Sequence, residues 1–283
     1  MPATRPDRLS ALIRQFRIDA TVHRAVDHGG WRAEKDNSAP NLFIARQGGL
    51  IFADPRFEEL SNPEPMLAFF PRGAPPDLHV RMDATDTQFV RATVDMGGDA
   101  NPIARALPTL MTIPLAKSEP LRSVADMLLE EALSPRCGGR AVVDRLCEVV
   151  VIRLLRYAIE AGQTKPGLLA GLAHPSLCLA IVAVHDSPGR NWHLEDLADV
   201  AGMSRTHFAN TFRIVMGMTP GEYLSNWRLA LARTEIAKGA SLKAVAGRVG
   251  FSSSAALSRA FSRRYGVSPK EEYARARQQA AAT

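Results

Sequence analysis

The sequence predicts an α+β chain: an antiparallel β-barrel or sandwich, then a helical segment, then an all-α domain of two helix-turn-helix units. Three observations carry that prediction. Residues 20–115 hold strand-length apolar runs cut by turn residues, residues 121–161 hold two long apolar helical stripes, and residues 192–273 hold one pattern written twice. The expected division is therefore 1–116 for the barrel, 117–167 for the helical segment and linker, and 168–283 for the C-terminal helical domain.

Charge follows the same division. The 283 residues carry a net +6, and the segment from Gly171 to Thr283, with fourteen Lys/Arg and eight Asp/Glu, accounts for all of it. The preceding 170 residues are neutral, with 21 of each sign. A basic domain joined to a neutral one points to a polyanion-binding module attached to something that binds neither polyanion nor membrane. No apolar run approaches the roughly 18 residues of a membrane span. Residues 1–16 carry Arg5, Asp7, Arg8 and Arg14 instead of a signal-peptide layout, so a cytoplasmic protein is expected. Cys137, Cys147 and Cys178 are widely spaced, with no C-x-x-C pair, and are expected to be buried reduced thiols.

Leu9, Leu12, Ile13 and Phe16 lie at helical spacing, which predicts a short amphipathic opening helix. The strand-length runs are Leu42–Ala45, Leu50–Phe52, Met66–Phe70, Leu78–Val80 and Phe89–Val94. They are separated by Asp27-His28-Gly29-Gly30, Ala39-Pro40-Asn41, Gln47-Gly48-Gly49, Ser61-Asn62-Pro63, Gly73-Ala74-Pro75-Pro76 and Gly97-Gly98-Asp99. The stretch Met66-Leu67-Ala68-Phe69-Phe70-Pro71-Arg72-Gly73-Ala74-Pro75-Pro76 resembles the second half of the cupin signature. Pro76 stands where that motif has its metal-binding histidine, and His23, His28 and His79 do not take the paired spacing of the first half. A cupin-like barrel without a metal or other cofactor is expected. A metal-dependent cupin enzyme fused to a DNA-binding domain is the alternative, and it needs ligands that these positions do not supply.

Leu121, Val124, Leu128 and Ala132 form one helical stripe. The next helix, from Arg140 to about Ala161, is apolar on most of its circumference, with Val142, Leu146, Val149, Val150, Ile152, Leu154, Leu155 and Ile159. Such a helix needs cover on two sides, one against the barrel and the other against a second subunit, unless it is buried wholly within its own chain. Gly162-Gln163-Thr164-Lys165-Pro166-Gly167 has linker composition.

In the duplicated stretch the first copy reads Leu-Ala-Asp-Val-Ala-Gly-Met-Ser from Leu197 to Ser204 and closes on Gly217-Met218-Thr219-Pro220. The second reads Val-Ala-Gly-Arg-Val-Gly-Phe-Ser from Val245 to Ser252 and closes on Gly266-Val267-Ser268-Pro269. Gly202 and Gly250 supply the left-handed residue of each tight turn, and Ser204 caps the following helix. Phe208, Phe212 and Val215 are expected to face inward on the first recognition helix, with Arg205, Thr206, Ala209, Asn210 and Arg213 outward. On the second, Leu257 and Phe261 face inward, with Ser254, Ala255, Ser258, Arg259, Ser262 and Arg263 outward. Between them, Thr219-Pro220-Gly221-Glu222 reads as a capping box opening a helix to about Lys238, roughly 27 Å long. Such a helix suits two recognition helices placed in consecutive major grooves.

The pattern resembles the signature of the AraC/XylS transcriptional regulators. The residues that carry it are Trp192-x-Leu194-x-x-Leu197-Ala198-x-x-Ala201-Gly202-Met203-Ser204-Arg205-x-x-Phe208, Gly217-x-Thr219-Pro220-x-x-Tyr223-Leu224-x-x-Trp227-Arg228-Leu229, Val245-Ala246-x-x-Val249-Gly250-Phe251-x-Ser253, and Arg259-Ala260-Phe261-x-Arg263-x-Tyr265-Gly266-Val267-Ser268-Pro269. The resemblance implies sequence-specific binding of double-stranded DNA as a homodimer and control of RNA polymerase recruitment, with a small-molecule effector in the N-terminal barrel. A barrel that only dimerises is the other reading. Base-contacting positions map by the resemblance onto Thr206, Ala209, Asn210, Ser254, Ala255, Ser258 and Arg259. Ser204, Arg205, Arg213, Ser253 and Arg263 are assigned to the phosphate backbone. Asn210 suits adenine, whereas an arginine there would favour guanine. No catalytic residue is expected.

Overall fold

The computed structural model describes residues 7–16, 18–24, 31–33, 39–46, 48–82, 88–96, 101–134, 136–162 and 166–281. The turns expected at 27–30 and 97–99 lie outside them, as does His28. Two compact units emerge: Arg17–Asp99 with Ala104–Ala161, and Met1–Phe16 with Ala100–Ile103 and Gly162–Thr283. The expected 1–116 domain is therefore divided differently here. The opening helix α1 (Ser10–Gln15) goes with the C-terminal part, and the 119–160 helices join the barrel.

The barrel unit holds β1 (Asp19–Arg24), β2 (Trp31–Arg32), β3 (Asn41–Arg46), β4 (Leu50–Phe52), β5 (Met66–Phe70), β6 (His79–Met82), β7 (Gln88–Asp95) and β8 (Met111–Pro114). All pairings are antiparallel, in one sheet ordered β1-β7-β3-β5-β8 and another ordered β2-β6-β4. Phe43, Ala45, Met66, Ala68, Phe70 and Phe89 of the large sheet share one core with Leu50, Phe52 and Val80 of the small one. Ring contacts at 5–6 Å knit it: Trp31–Phe43 at 5.1 Å, Phe57–Phe70 at 5.7 Å and Phe43–Phe89 at 5.9 Å.

β3 and β5 are buried on both faces, which is why their sequences are apolar without alternation. The second face of β3 meets the helical layer. After the short α2 (Pro102–Ala106), α3 (Glu119–Leu133) buries Leu121, Val124, Ala125, Leu128, Leu129 and Ala132, packing on β3, β7 and α4 (Gly139–Glu160). α4 turns Val143, Cys147, Val150, Val151, Leu154, Leu155, Ala158 and Ile159 inward, whereas Val142 and Val149 stay 45% and 38% exposed. The side expected to face a partner is thus an open apolar stripe, flanked by half-buried Leu146 and Ile152.

The second unit contains α5 (Leu168–Ala173), α6 (Leu177–Asp186), α7 (Leu194–Val200), α8 (Arg205–Met216), α9 (Pro220–Ala237), α10 (Leu242–Val249), α11 (Ser254–Tyr265) and α12 (Pro269–Ala281). α1 packs on α6: Leu12 is fully buried, Phe16 meets the Trp227 ring edge-on at 5.5 Å, and Arg14 pairs with Asp186 at 2.8 Å. α5 was not expected, because six residues containing Gly171 give little helical signal. That glycine is needed where α5 meets the core: a Cβ there would lie 2.2 Å from the Met216 sulfur.

Cys147 and Cys178 are buried and free, but Cys137 is exposed, against expectation, because it lies in the short connection before α4. None of the described helices is long and apolar enough to cross a membrane.

Candidate nucleic-acid interface

The first helix-turn-helix is α7, the turn at Gly202 and α8. His193 and Asp196 form a reciprocal capping box at the start of α7. Gly202 takes φ +64°, the left-handed conformation that lets the chain reverse without strain. Ser204 Oγ accepts from the His207 N–H at 3.4 Å, so its hydroxyl already caps α8. Phe208, Phe212 and Met216 anchor α8, with Phe212 against Tyr223 at 5.7 Å. Met216, not Val215, completes the buried row, and Val215 is half-buried. On a wheel of 100° per residue both lie within about 60° of the Phe208–Phe212 direction, so tertiary packing decides between them.

Ser204, Arg205, Thr206, Asn210 and Arg213 are exposed, and Ala209 is half-buried. Arg205 Nη1 lies 2.8 Å from Glu195 Oε1, with both side chains more than half exposed. A pair so exposed contributes at most about 1 kcal/mol, so a phosphate can compete for the guanidinium. Ala209, Asn210 and Arg213 line a groove of about 400 Å³ whose other wall is Trp192, Thr219 and Leu224. Ile214, 73% exposed, shares this outer face and was not singled out from sequence. Its spacing of four from Asn210 is the signal that could have found it.

The second unit repeats the layout. Gly250 takes φ +87°, Ser253 Oγ accepts from the Ala256 N–H at 3.1 Å, and Leu257 and Phe261 anchor α11. Ser253, Ala255, Arg259 and Arg263 are exposed; Ser254, Ser258 and Ser262 are half-buried. Ser254 and Ser258 thus lie nearer the buried row than Arg259 does. With 100° per residue they flank the Leu257–Phe261 row, whereas Arg259 points nearly opposite it. Arg264 is a further exposed cation on the last turn.

Both units hang on α9, whose Thr219–Glu222 capping box forms as expected, the Glu222 carboxylate accepting from the Thr219 N–H at 2.8 Å. That hydrogen bond holds the Glu222 carboxyl below its ordinary pKa. The Ser268–Glu271 box at α12 forms likewise, at 2.6 Å. On the first unit's side, Tyr223 Oη and His185 Nε2 share a 2.6 Å hydrogen bond, and the His185 ring lies 4.0 Å from Trp227. Burial pulls the His185 pKa down to about 3 and pushes the Tyr223 hydroxyl up, so both are neutral. On the second unit's side, Arg233 pairs with Glu272 at 2.5 Å, and Arg248 of α10 donates through Nε to Glu235 at 3.0 Å.

One side chain of α9 bonds to both. Arg228 donates from Nε to the Pro188 carbonyl at 2.8 Å, from Nη2 to the Arg190 carbonyl at 2.8 Å, and from Nη1 to the Gly250 carbonyl at 3.0 Å. Arg190 in turn lies 4.1 Å over Trp192 and 3.5 Å from Asp196. The sequence pattern shows Arg228 only as part of Trp-Arg-Leu, and nothing in its spacing tells which carbonyls it meets.

In the barrel, His23 Nε2 lies 2.8 Å from Thr93 Oγ1. Among the described residues no three His, Cys, Asp or Glu side chains converge as a metal site would require.

Comparison with known proteins separates an N-terminal part from a C-terminal one. The cupin family matches residues 7–160, and the helix-turn-helix domain family matches residues 197–275. The RCS-specific transcriptional activator RclR of Escherichia coli K12 is 31% identical over 202 residues, covering 70% of this chain and 71% of that one. The regulator AlkR of Acinetobacter baylyi is 35% identical over 187 residues, covering 64% and 60%. An uncharacterised regulator of Haemophilus influenzae is 32% identical over 170 residues, covering 60% and 57%. The chain thus spans a little under three fifths of the length of that last relative. Among solved structures, the DNA-binding domain of AdpA in complex with a target DNA is 31% identical and covers 35% of this chain and 91% of its own, at a TM-score of 0.33. With a cupin-type N-terminal part and an AraC-type DNA-binding part, the chain belongs to the AraC-like family of helix-turn-helix transcriptional regulators.

Proposed function

We propose that each chain reads two consecutive major grooves of its operator, one with α8 and one with α11, and that the N-terminal barrel makes this binding responsive to an effector. The observation that carries the first half is the duplication itself. Two recognition helices, one anchored by Phe208 and Phe212 and the other by Leu257 and Phe261, each bearing exposed donors on its other side, are mounted on one 18-residue helix. Thr206, Asn210, Ala255 and Arg259 are the base-reading candidates that exposure favours. Ala209 reads from its groove wall, and Ser254 and Ser258 read from the edge of α11. Ser204, Arg205, Arg213, Ser253 and Arg263 serve the phosphates.

The apolar stripe Val142, Leu146, Val149 and Ile152 supports a homodimer paired through α4 in the cytoplasm, with transcription controlled through RNA polymerase. Footprinting of the full chain on sites chosen by selection from random DNA tests the groove reading. Two protected boxes per chain, about 10 bp apart on one face, are expected; one box per chain refutes it. A second reading, a barrel that only dimerises, is favoured by the aromatic side chains that occupy its interior, Phe43, Phe52, Phe70 and Phe89 among them. Thermal shifts of the barrel unit's unfolding against a panel of metabolites separate the two.

A further inference from the structure

We propose that Arg228 is the positioning residue that fixes the two helix-turn-helix units relative to each other, and so sets the operator spacing the chain accepts. The second clause rests on the two-groove reading; the first does not. α9 alone cannot fix the units, because each could still tilt about that helix. Tyr223 packs on Phe212 of the first unit, and Arg233 and Glu235 hold Glu272 and Arg248 on the second unit's side. Arg228 alone among these engages both. Its guanidinium bonds two carbonyls of the loop that leads into α7 and the carbonyl of Gly250, the turn residue of the second unit.

Three carbonyls approached from different directions require a planar fork of donors, which arginine has and lysine lacks. The surroundings are built to that fork. A Cβ at Gly250 would lie 2.7 Å from Arg228 Nη2, so only glycine leaves room for the guanidinium. A Cβ at Gly189 would lie 2.6 Å from the Arg248 carbonyl oxygen, so the loop and the end of α10 meet backbone to backbone beside it. Arg190, whose carbonyl takes one bond, is itself braced by Trp192 and Asp196. The guanidinium is about half-buried, where its hydrogen bonds are less screened than at the surface. Arg190 stands four residues before α7, and Gly250 stands four residues before α11. A shift of either loop against Arg228 therefore moves a recognition helix.

The test uses the full chain with Cys137→Ser, carrying Arg228, R228K or R228A. First, nitroxide labels at Asp199→Cys on α7 and Lys243→Cys on α10, both exposed, report the distance between units without DNA. The parent is expected to give one narrow distance distribution, R228A a broad one, and R228K, which keeps the charge and the aliphatic stem, an intermediate one. Equal widths in parent and R228K overturn the positioning role. Second, binding is measured on the selected operator, on versions with one base pair inserted or deleted between boxes, and on single boxes. The parent is expected to lose on the order of tenfold or more with each spacing change, whereas the variants lose that much on the intact site and then tolerate the changes within about twofold. Single-box affinity should stay within about twofold throughout. If single-box affinity falls in parallel with the intact site, Arg228 acts on stability and the proposal fails. If the parent itself ignores spacing, the two-groove reading fails, and the label distances still decide the first clause.

Discussion

His185 offers a pH test of how the DNA-binding unit is held on α9. Its ring is fully buried, hydrogen-bonded to Tyr223 and packed against Trp227 at 4.0 Å, and its pKa is depressed from 6.5 to about 3. A base whose folded pKa is depressed leaves the unfolded chain binding the extra proton. Stability is then full above pH 6.5 and is lost as pH falls toward 3. From those two pKa values, the loss between pH 7.5 and pH 5.0 is about 2 kcal/mol. The perturbation is His185→Gln, whose amide can still meet the Tyr223 hydroxyl but does not titrate. Hydrogen exchange of peptides covering 177–186 and 220–237, followed in urea at both pH values, reads the opening free energy of that region. The native chain should lose about 2 kcal/mol more than H185Q over this interval, because all other titrating groups cancel in the difference. Equal losses would show that His185 takes up its proton in the folded state, and the buried, neutral arrangement would be wrong.

Other outcomes follow from single positions. Arg259→Ala should cost about 1–3 kcal/mol at the selected operator and relax preference at one base pair, measured by mobility shift on base-substituted sites. Arg213→Ala and Arg263→Ala should each flatten the salt dependence of binding by about one unit of slope while leaving base preference intact. Gly250→Ala forces a left-handed alanine against the Arg228 guanidinium and should destabilise the unit by about 1–2 kcal/mol, read by the same exchange measurement. For the thiols, burial and the neighbouring Asp144 and Glu148 push Cys147 up to about 12. Iodoacetamide at pH 8 should therefore label exposed Cys137 and leave Cys147 untouched until the chain unfolds, as judged by peptide mass.

The C-terminal unit was legible because helical periodicity, caps and turn glycines all act within a dozen residues. Ser204, Gly250 and the Thr219–Glu222 box do in the structure what their spacing says. In the barrel, β4 and β5 match their apolar runs residue for residue, and β5 is continuous and apolar because both its faces are buried. β1, with the polar sequence Asp-Ala-Thr-Val-His-Arg, was not legible. It is a strand because β7 pairs with all six of its residues, a partner some seventy positions away. β8 escaped for the same reason, as an edge strand ending at Pro114. Arg228 and the His185–Tyr223 pair belong to a third class: their types were visible, but which groups they meet is a product of the tertiary fold. The half-burial of Ser254 and Ser258 could have been read from sequence, since both lie within 100° of the Leu257–Phe261 row.

The placement of α1 bears on how this regulator can be cut. Leu12 and Phe16 cover α6 and the edge of Trp227, and Arg14 reaches Asp186, so the unit that carries both recognition helices is closed by residues from the other end of the chain. A truncation that keeps only 168–283 would leave that apolar surface bare. Such a fragment invites aggregation, and grafting residues 7–16 back by a flexible tether is the remedy this packing recommends.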